Sequence, residues 1–402
     1  MPFYEENPNR ISQADIVVGI PSYHEAEAIG FTTEQVAKGL TKYFGDLSSV
    51  IINCDNQSHD GTKEAFFSAD CRVPRIYLST EGGVRGKGRN VRNLLEKARE
   101  LGARVVAEVE ADIRNLSPRW IQNLVQPILN GAGYVSPIYV RHKYEATLTT
   151  SIIYPLTRCL YGRRVRQPSS GDFGLRGDLV DSYLQTDVWT ESVEQFGIDV
   201  WMTTIALNAR VPICQSVMGS PKLHRVKDPY AQLSVVFRQI VSTIFDLMQI
   251  YEPFWRRVKW SKPTILFGVD NVEVETPIPV EVNVNRLHER FLEGFDQYSK
   301  TWEAVYGSAV SNKLQEIRSL GLQHFSLPSQ TWARILFDTA RAYKNVGAQE
   351  RTGLLDALLP LYLGKVLTFV KKTERMSIQQ TEEYVENECM IFEENKPYLA
   401  TM

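Results

Sequence analysis

The sequence predicts an α/β domain with a mostly parallel central sheet, followed by a helical region. Three observations predict it. Short β-rich apolar runs alternate with amphipathic helical stretches through about residue 230, the pattern of βαβ units. Several of these runs end in clusters of carboxylates, glycines or basic residues, which places polar chemistry at the carboxyl edge of a sheet. Beyond residue 230 the strand signal fades and apolar residues recur at helical spacing. The expected organisation is therefore a catalytic-type domain over 1–230 and a mainly helical region over 231–402.

In chain order, residues 15–20 read as a buried strand stopped by Pro21, and a helix follows from Thr32 toward Phe44, with Val36, Leu40 and Phe44 on one face. A second strand over 49–54 ends in the turn cluster 55–62, and residues 75–78 form a third. Gly82 to Asn90 is rich in glycine and basic residues and leads into a helix ending near Arg99. The next strand runs into Glu110-Ala111-Asp112. Residues 115–130 are helical, with Ser117-Pro118 as N-cap and first turn. Residues 133–140 form a strand, 147–160 an apolar helix, 196–209 a helix and 212–217 a late strand. Helices are expected over 233–248, 285–320, 331–345 and 354–394, the last broken near Pro360, with 253–279 as an irregular connector.

The chain has 402 residues, 43% hydrophobic and 23% charged, an ordinary globular composition. A net charge of −2 argues against a general nucleic-acid or anionic-membrane surface. Residues 1–10 lack a signal-peptide core, and no apolar run approaches the roughly 20 residues that span a bilayer. Five scattered cysteines without Cys-x-x-Cys spacing indicate free thiols and a cytoplasmic chain.

Glu110-Ala111-Asp112 carries the chemistry. A strand ending in Glu-x-Asp offers oxygen ligands to Mg²⁺ or Mn²⁺, which commonly share them with substrate phosphates; an acidic solvated turn is the plain alternative. Gly86-Lys87-Gly88 lets backbone approach a phosphate while Lys87 neutralises it, or is a basic surface loop. Asp55 stands at a strand end, where it can accept from a base or ribose, or serve the turn. His224 can complete the coordination begun by Asp112, or be a merely exposed loop residue. Asp172 and Asp199 each follow a glycine or a loop, as sugar ligands or as helix caps.

Taken in order, these motifs resemble the nucleotide-sugar glycosyltransferases of the GT-A fold, and within them the retaining synthases of mannosylglycerate, glucosylglycerate and glucosyl-3-phosphoglycerate. Pro21-Ser22-Tyr23-His24-Glu25 is similar to that family's Pro-x-x-Asn/His-Glu segment, and Asp55 to its acidic residue near base and ribose. Gly86-Lys87-Gly88 resembles its Gly-Lys-Gly loop and Glu110-Ala111-Asp112 its Asp-x-Asp motif. Gln167-Pro168-Ser169-Ser170-Gly171-Asp172 resembles Gln-Pro-x-Gly-Gly-Glu, and Gly197-Ile198-Asp199 the Gly-Ile-Asp/Glu segment. His224, in Lys-x-His-Arg, resembles the remaining metal ligand. Glu110 replaces the first aspartate of the motif, Ser170-Gly171-Asp172 replaces Gly-Gly-Glu, and Lys227 stands where some relatives carry tyrosine.

The resemblance implies a Rossmann-like GT-A domain transferring glucose or mannose from GDP-mannose, GDP-glucose or UDP-glucose to D-glycerate, with 3-phosphoglycerate as the alternative acceptor. Arg163, Arg164 and Arg166 suit the phosphate of the latter. It assigns Asp112 and His224 to the metal, Lys87 and Asp199 to catalysis, and Pro21, Tyr23, Glu25, Asp55, Lys87, Glu110 and Ala111 to the donor. Arg141, Thr149, Gln167, Pro168, Gly171, Asp172 and Asp199 line the sugar and acceptor pocket. The helices after residue 285 offer a homodimer interface. Two other readings stay open: a nucleotidyltransferase, which releases pyrophosphate instead of a nucleoside diphosphate, and a non-catalytic nucleotide-sugar-binding scaffold.

Overall fold

The structure, a computed structural model, describes residues 4–81, 85–186, 188–224, 232–270 and 274–401. Gly82, Gly83 and Lys227 of the motifs above lie outside these residues. The chain divides into two compact units. The first comprises Met1–Val140, Arg166–Pro229 and Thr264–Pro277, and the second Arg141–Val165, Tyr230–Pro263 and Ile278–Met402. Residues 141–165 thus group with the helical unit, and a short later segment groups with the sheet.

The first unit is built on nine strands: β1 (Tyr4–Glu6), β2 (Ile16–Ser22), β3 (Ser49–Asp55), β4 (Arg75–Ser79), β5 (Val105–Glu108), β6 (Tyr134–Ile138), β7 (Phe173–Arg176), β8 (Ile213–Val217) and β9 (Ile265–Phe267). Their order is β1-β4-β3-β2-β5-β7-β6-β8-β9. Strands β2, β3, β4 and β5 are mutually parallel, as are β6, β8 and β9; β7 runs antiparallel between β5 and β6, and β1 antiparallel on β4. This is the mixed, mostly parallel α/β sheet that the sequence predicts. Its interior strands are buried on both faces, so they read as continuous apolar runs.

Pro21 does not end β2, which pairs with β3 through Ser22. The Gly19 carbonyl points toward β5, where it accepts from Val109 N. Pro21, two residues on, therefore turns its missing N–H to the side where pairing with β5 has already stopped at Gly19 and Glu108. Three strands, β1, β7 and β9, lie where no strand was expected. Strand β7 is the consequential one, because its pairing with β5 brings Phe173 opposite Glu108 and sets Asp172 beside Glu110.

The second unit contains a π-helical turn (Thr149–Ile153) that continues into the Tyr154–Tyr161 helix, then the helices Leu233–Ile250, Val284–Ser319, Ser329–Lys344, Ala348–Thr373 and Ile378–Ala400. The break expected at Pro360 is absent: Pro360 sits inside the Ala348–Thr373 helix, packed where Gly294 leaves room for its ring. The chain breaks instead before Ser377, whose hydroxyl and the Gln380 side chain form a reciprocal capping box. Arg158 is buried and ion-paired to Glu386 (2.6 Å) and Glu393 (2.7 Å). Lys143 donates to the carbonyls of Thr373, Glu374 and Met376 at the end of the Ala348–Thr373 helix. Leu233–Ile250 and Ala348–Thr373 are long and apolar enough to cross a membrane by length and composition, although each is interrupted by charged residues such as Arg238, Asp246, Asp356 and Lys365. About half of the first and over three quarters of the second is buried within the protein.

Candidate active site

The carboxyl ends of β2, β3 and β5 and the start of β7 converge with the starts of the helices at Lys87 and Ile198 and with the 219–224 loop. Glycine makes two of these approaches possible. Gly86, with φ +145°, stands so close to residues 194–195 that a Cβ would overlap the Glu194 carbonyl oxygen. Gly171, with φ +88°, would place a Cβ 2.6 Å from Glu110 Oε1.

Lys87 is the first residue of the Lys87–Glu100 helix, and its ammonium lies at the centre. It donates to Asp199 Oδ1 (2.8 Å), the Gly171 carbonyl (2.8 Å) and Glu110 Oε1 (3.0 Å), with Glu108 Oε1 at 3.3 Å. Burial opposes its charge, but Asp199, Glu108 and Glu110 outweigh burial and hold its pKa well above the usual lysine value. Asp199, in the first turn of the Ile198–Asn208 helix, has its pKa raised by burial, with Lys87 acting the other way.

A second lysine, Lys222, braces the other side. It pairs with Glu110 Oε2 (2.7 Å) and Asp172 Oδ1 (2.9 Å) and donates to the Ser170 carbonyl (3.0 Å). Glu110 thus sits between two ammonium groups. Although burial works against it, Lys222, Lys87 and His224 hold its pKa well below the usual range. Asp172 also accepts from the Glu110 backbone N–H (3.0 Å) and from the Tyr139 hydroxyl. Its Oδ1 thus braces Glu110 and Lys222, while Oδ2 is held by Tyr139.

Glu110, Asp112 and His224 bring one ligand atom each to within 4.8 Å of one another. His224 Nδ1 is 3.1 Å from Asp112 Oδ1 and 3.8 Å from Glu110 Oε2. Backbone pairing delivers the imidazole: Arg114 N–H donates to the Leu223 carbonyl, and Asn115 bonds both the Pro221 carbonyl and the Leu223 N–H. Ala111 is buried, its carbonyl accepting from Thr32 Oγ1.

The donor set of two carboxylates and one imidazole suits Mn²⁺ or Mg²⁺. Around it, Glu108, Glu110, Asp172 and Asp199 pair with Lys87 or Lys222. Burial pushes Glu108 up to about 8, with Lys87 acting the other way.

Other predicted residues divide. Tyr23 is half-buried at the end of β2, stacked on His24 (centroids 4.1 Å) with the Arg85 guanidinium 4.6 Å over its ring. Pro21 lies two residues before it in β2, and the buried Glu25 donates its backbone N–H to Thr62 Oγ1 (3.0 Å). Asp55 is wholly buried and accepts from Ser22 Oγ, Ser58 N, Ser58 Oγ and Tyr77 OH, all within 2.9 Å. Four donors fill a carboxylate's lone pairs, so Asp55 ties β2, β3 and β4 together. Gln167 pairs its amide with both backbone groups of Tyr139 (2.9 and 3.2 Å), and the Pro168 carbonyl accepts from Thr203. These two shape the wall. Arg141 and Thr149 belong to the second unit, Thr149 opening its π-helical turn.

Two residues at the centre were not anticipated. Lys222 stands two residues before His224, and both side chains approach Glu110 Oε2. Glu108 closes β5 and Glu110 lies two residues beyond it, and both carboxyls face Lys87. Either could have been found by stepping back two from a chosen ligand.

Neither a protein-family model nor a curated protein matches the sequence. Solved structures do. Glucosyl-3-phosphoglycerate synthase from Mycobacterium tuberculosis, in complex with Mn²⁺, UDP-glucose and phosphoglyceric acid, matches with 21% identity over 59% of this chain and 80% of its own, at a TM-score of 0.45. The same enzyme with Mn²⁺, UDP-glucose and glycerol 3-phosphate matches with 22% identity over 58% and 80%, TM-score 0.45. With Mg²⁺ and UDP it matches with 20% identity over 58% and 79%, TM-score 0.46.

Proposed function

We propose that the protein is a metal-dependent glycosyltransferase of GT-A type, moving glucose or mannose from a nucleoside diphosphate sugar to D-glycerate with retention of anomeric configuration. One observation carries this reading: two carboxylates and an imidazole gathered beside a half-buried lysine at the carboxyl edge of parallel strands, where such sheets take their ligands. Asp112 and His224, joined by Glu110, are the residues that would hold Mg²⁺ or Mn²⁺. The bound cation supplies Lewis-acid stabilisation of the departing diphosphate.

Lys87 adds a fixed positive charge on the same side, already oriented by Asp199 and the Gly171 carbonyl, so little reorganisation is needed as charge develops. Asp199 stands within a hydrogen bond of that ammonium and orients the transferred sugar. The Tyr23 ring, between His24 and the Arg85 guanidinium at the end of β2, sits where the donor base would be held, which UDP-glucose, GDP-glucose or GDP-mannose would supply. The exposed Arg163 and Arg164 keep 3-phosphoglycerate as a second acceptor, since guanidinium forks suit phosphate. Five free cysteines suit a cytoplasmic setting, with a homodimer as the expected assembly.

The test is turnover of the purified protein with Mg²⁺ or Mn²⁺, a panel of donors and both acceptors, products read by mass and anomeric NMR. Asp112→Ala is expected to abolish the metal requirement together with at least about 100-fold of the rate. Metal-dependent turnover surviving in Asp112→Ala, or pyrophosphate as the released product, overturns the assignment.

A further inference from the structure

Glu108 is fully buried, and neither of its carboxyl oxygens has a hydrogen-bond partner among the described residues. A buried polar group left without a partner is costly, which calls for a reason. The reason lies in the donors of Lys87. An ammonium has three N–H groups, and Lys87 has committed all three, to Asp199, the Gly171 carbonyl and Glu110. Glu108 Oε1, at 3.3 Å, is a fourth oxygen with no hydrogen left to take.

We propose that Glu108 is a positioning residue that receives the third N–H of Lys87 when Glu110 turns to the cation. This rests on the metal-dependent reading above. In the structure both oxygens of Glu110 are engaged, Oε1 by Lys87 and Oε2 by Lys222. A cation held with Asp112 and His224 draws Glu110 toward itself and repels the ammonium nearby. Lys222 keeps Asp172 and the Ser170 carbonyl if its share of Glu110 loosens. Lys87 keeps Asp199 and Gly171, and its freed N–H needs a new acceptor; Glu108 is already in place for it. Charged or neutral, a carboxyl group retains an oxygen that accepts. The lysine thus shifts between two glutamates that both face it, leaving one of them to the metal.

The experiment measures Mn²⁺ affinity of the full chain by electron paramagnetic resonance, without substrate. Wild type against Asp112→Ala tests the metal reading itself: equal affinity sinks that reading. Given a difference there, Glu108→Met is expected to weaken Mn²⁺ binding about 10-fold. Glu108→Gln, which keeps an accepting oxygen and loses the charge, is expected to stay within about 3-fold of wild type. In a Lys87→Met background the Met substitution at 108 should have no further effect. Wild-type affinity in Glu108→Met, or an equal loss in the Gln variant, overturns the proposal, the second by showing that charge alone matters. A crystal structure of the wild type with Mn²⁺ tests it without any variant. Lys87 Nζ should lie within hydrogen-bond distance of Glu108 and out of reach of Glu110, and an unchanged Lys87–Glu110 bond overturns it.

Discussion

Lys222→Met isolates the brace that holds Glu110 in place. The methionine fills the same volume and removes one ammonium that is 2% exposed and serves two carboxylates and a carbonyl. Removing one partner of a buried ion pair costs about 3–5 kcal/mol. Two features of the site pull the figure to the lower end. Glu110 is a quarter exposed and keeps Lys87, and Asp172 keeps the Glu110 N–H and the Tyr139 hydroxyl. The expected loss is therefore about 3 kcal/mol, or roughly 6–12 °C in the melting of the sheet unit. The sign of its pH dependence follows from Glu110. Its folded pKa is depressed, so the stability it contributes is present above its unfolded pKa and is lost as pH falls through the folded value. Without Lys222 the depression shrinks, so the gap between wild type and variant is flat from pH 8 to about 5 and closes only below the ordinary glutamate range, as pH falls toward the folded value. Urea unfolding across that range measures it. A gap under about 1 kcal/mol near pH 8, or one that widens on acidification, refutes the reasoning.

Other perturbations follow from the same geometry. Lys87→Met is expected to lower kcat/KM for the donor by about 10²–10³ while the chain stays folded, read by steady-state kinetics alongside circular dichroism. Gly171→Ala forces a Cβ against Glu110 Oε1 and Lys222 at a positive φ, and should cost about 1–2 kcal/mol and weaken Mn²⁺ binding in a calorimetric titration. Glu108→Gln should gain on wild type as pH rises from 5 to 8, by roughly 1–3 kcal/mol. Its raised folded pKa of about 8 means that the fold binds more protons than the unfolded chain in that window. In the helical unit, Arg158→Met strands Glu393 and should cost about 3–5 kcal/mol, visible as a lowered denaturation midpoint.

Much of the sheet was legible because parallel strands buried on both faces leave continuous apolar runs, and β2, β3, β4 and β5 carry them. Strand β7 was not, because its four residues follow a dense turn cluster and it is defined by pairing with β5, some 65 residues earlier in the chain. Two prolines suggest an end that the fold does not make. Pro21 was read as a stop, but its missing N–H falls where the neighbouring strand has ended. Pro360 was read as a break, but a helix elsewhere leaves a glycine opposite its ring.

The same limit governs the site. Glu110, Asp112, Lys87, Asp199 and His224 were chosen separately, each for its chemistry, and the fold brings them together. Asp55, Asp172 and Gln167 were chosen on equal grounds, yet their polar atoms are filled by Ser58 and Tyr77, by Lys222 and Tyr139, and by the Tyr139 backbone. Nothing local distinguishes a carboxylate that will meet a ligand from one that holds its neighbour, because the difference is how many donors arrive from distant segments. Glu108 marks the converse. Set in an apolar run, it reads as part of a core strand, and only the exhausted donors of Lys87 reveal that its oxygens wait for a partner.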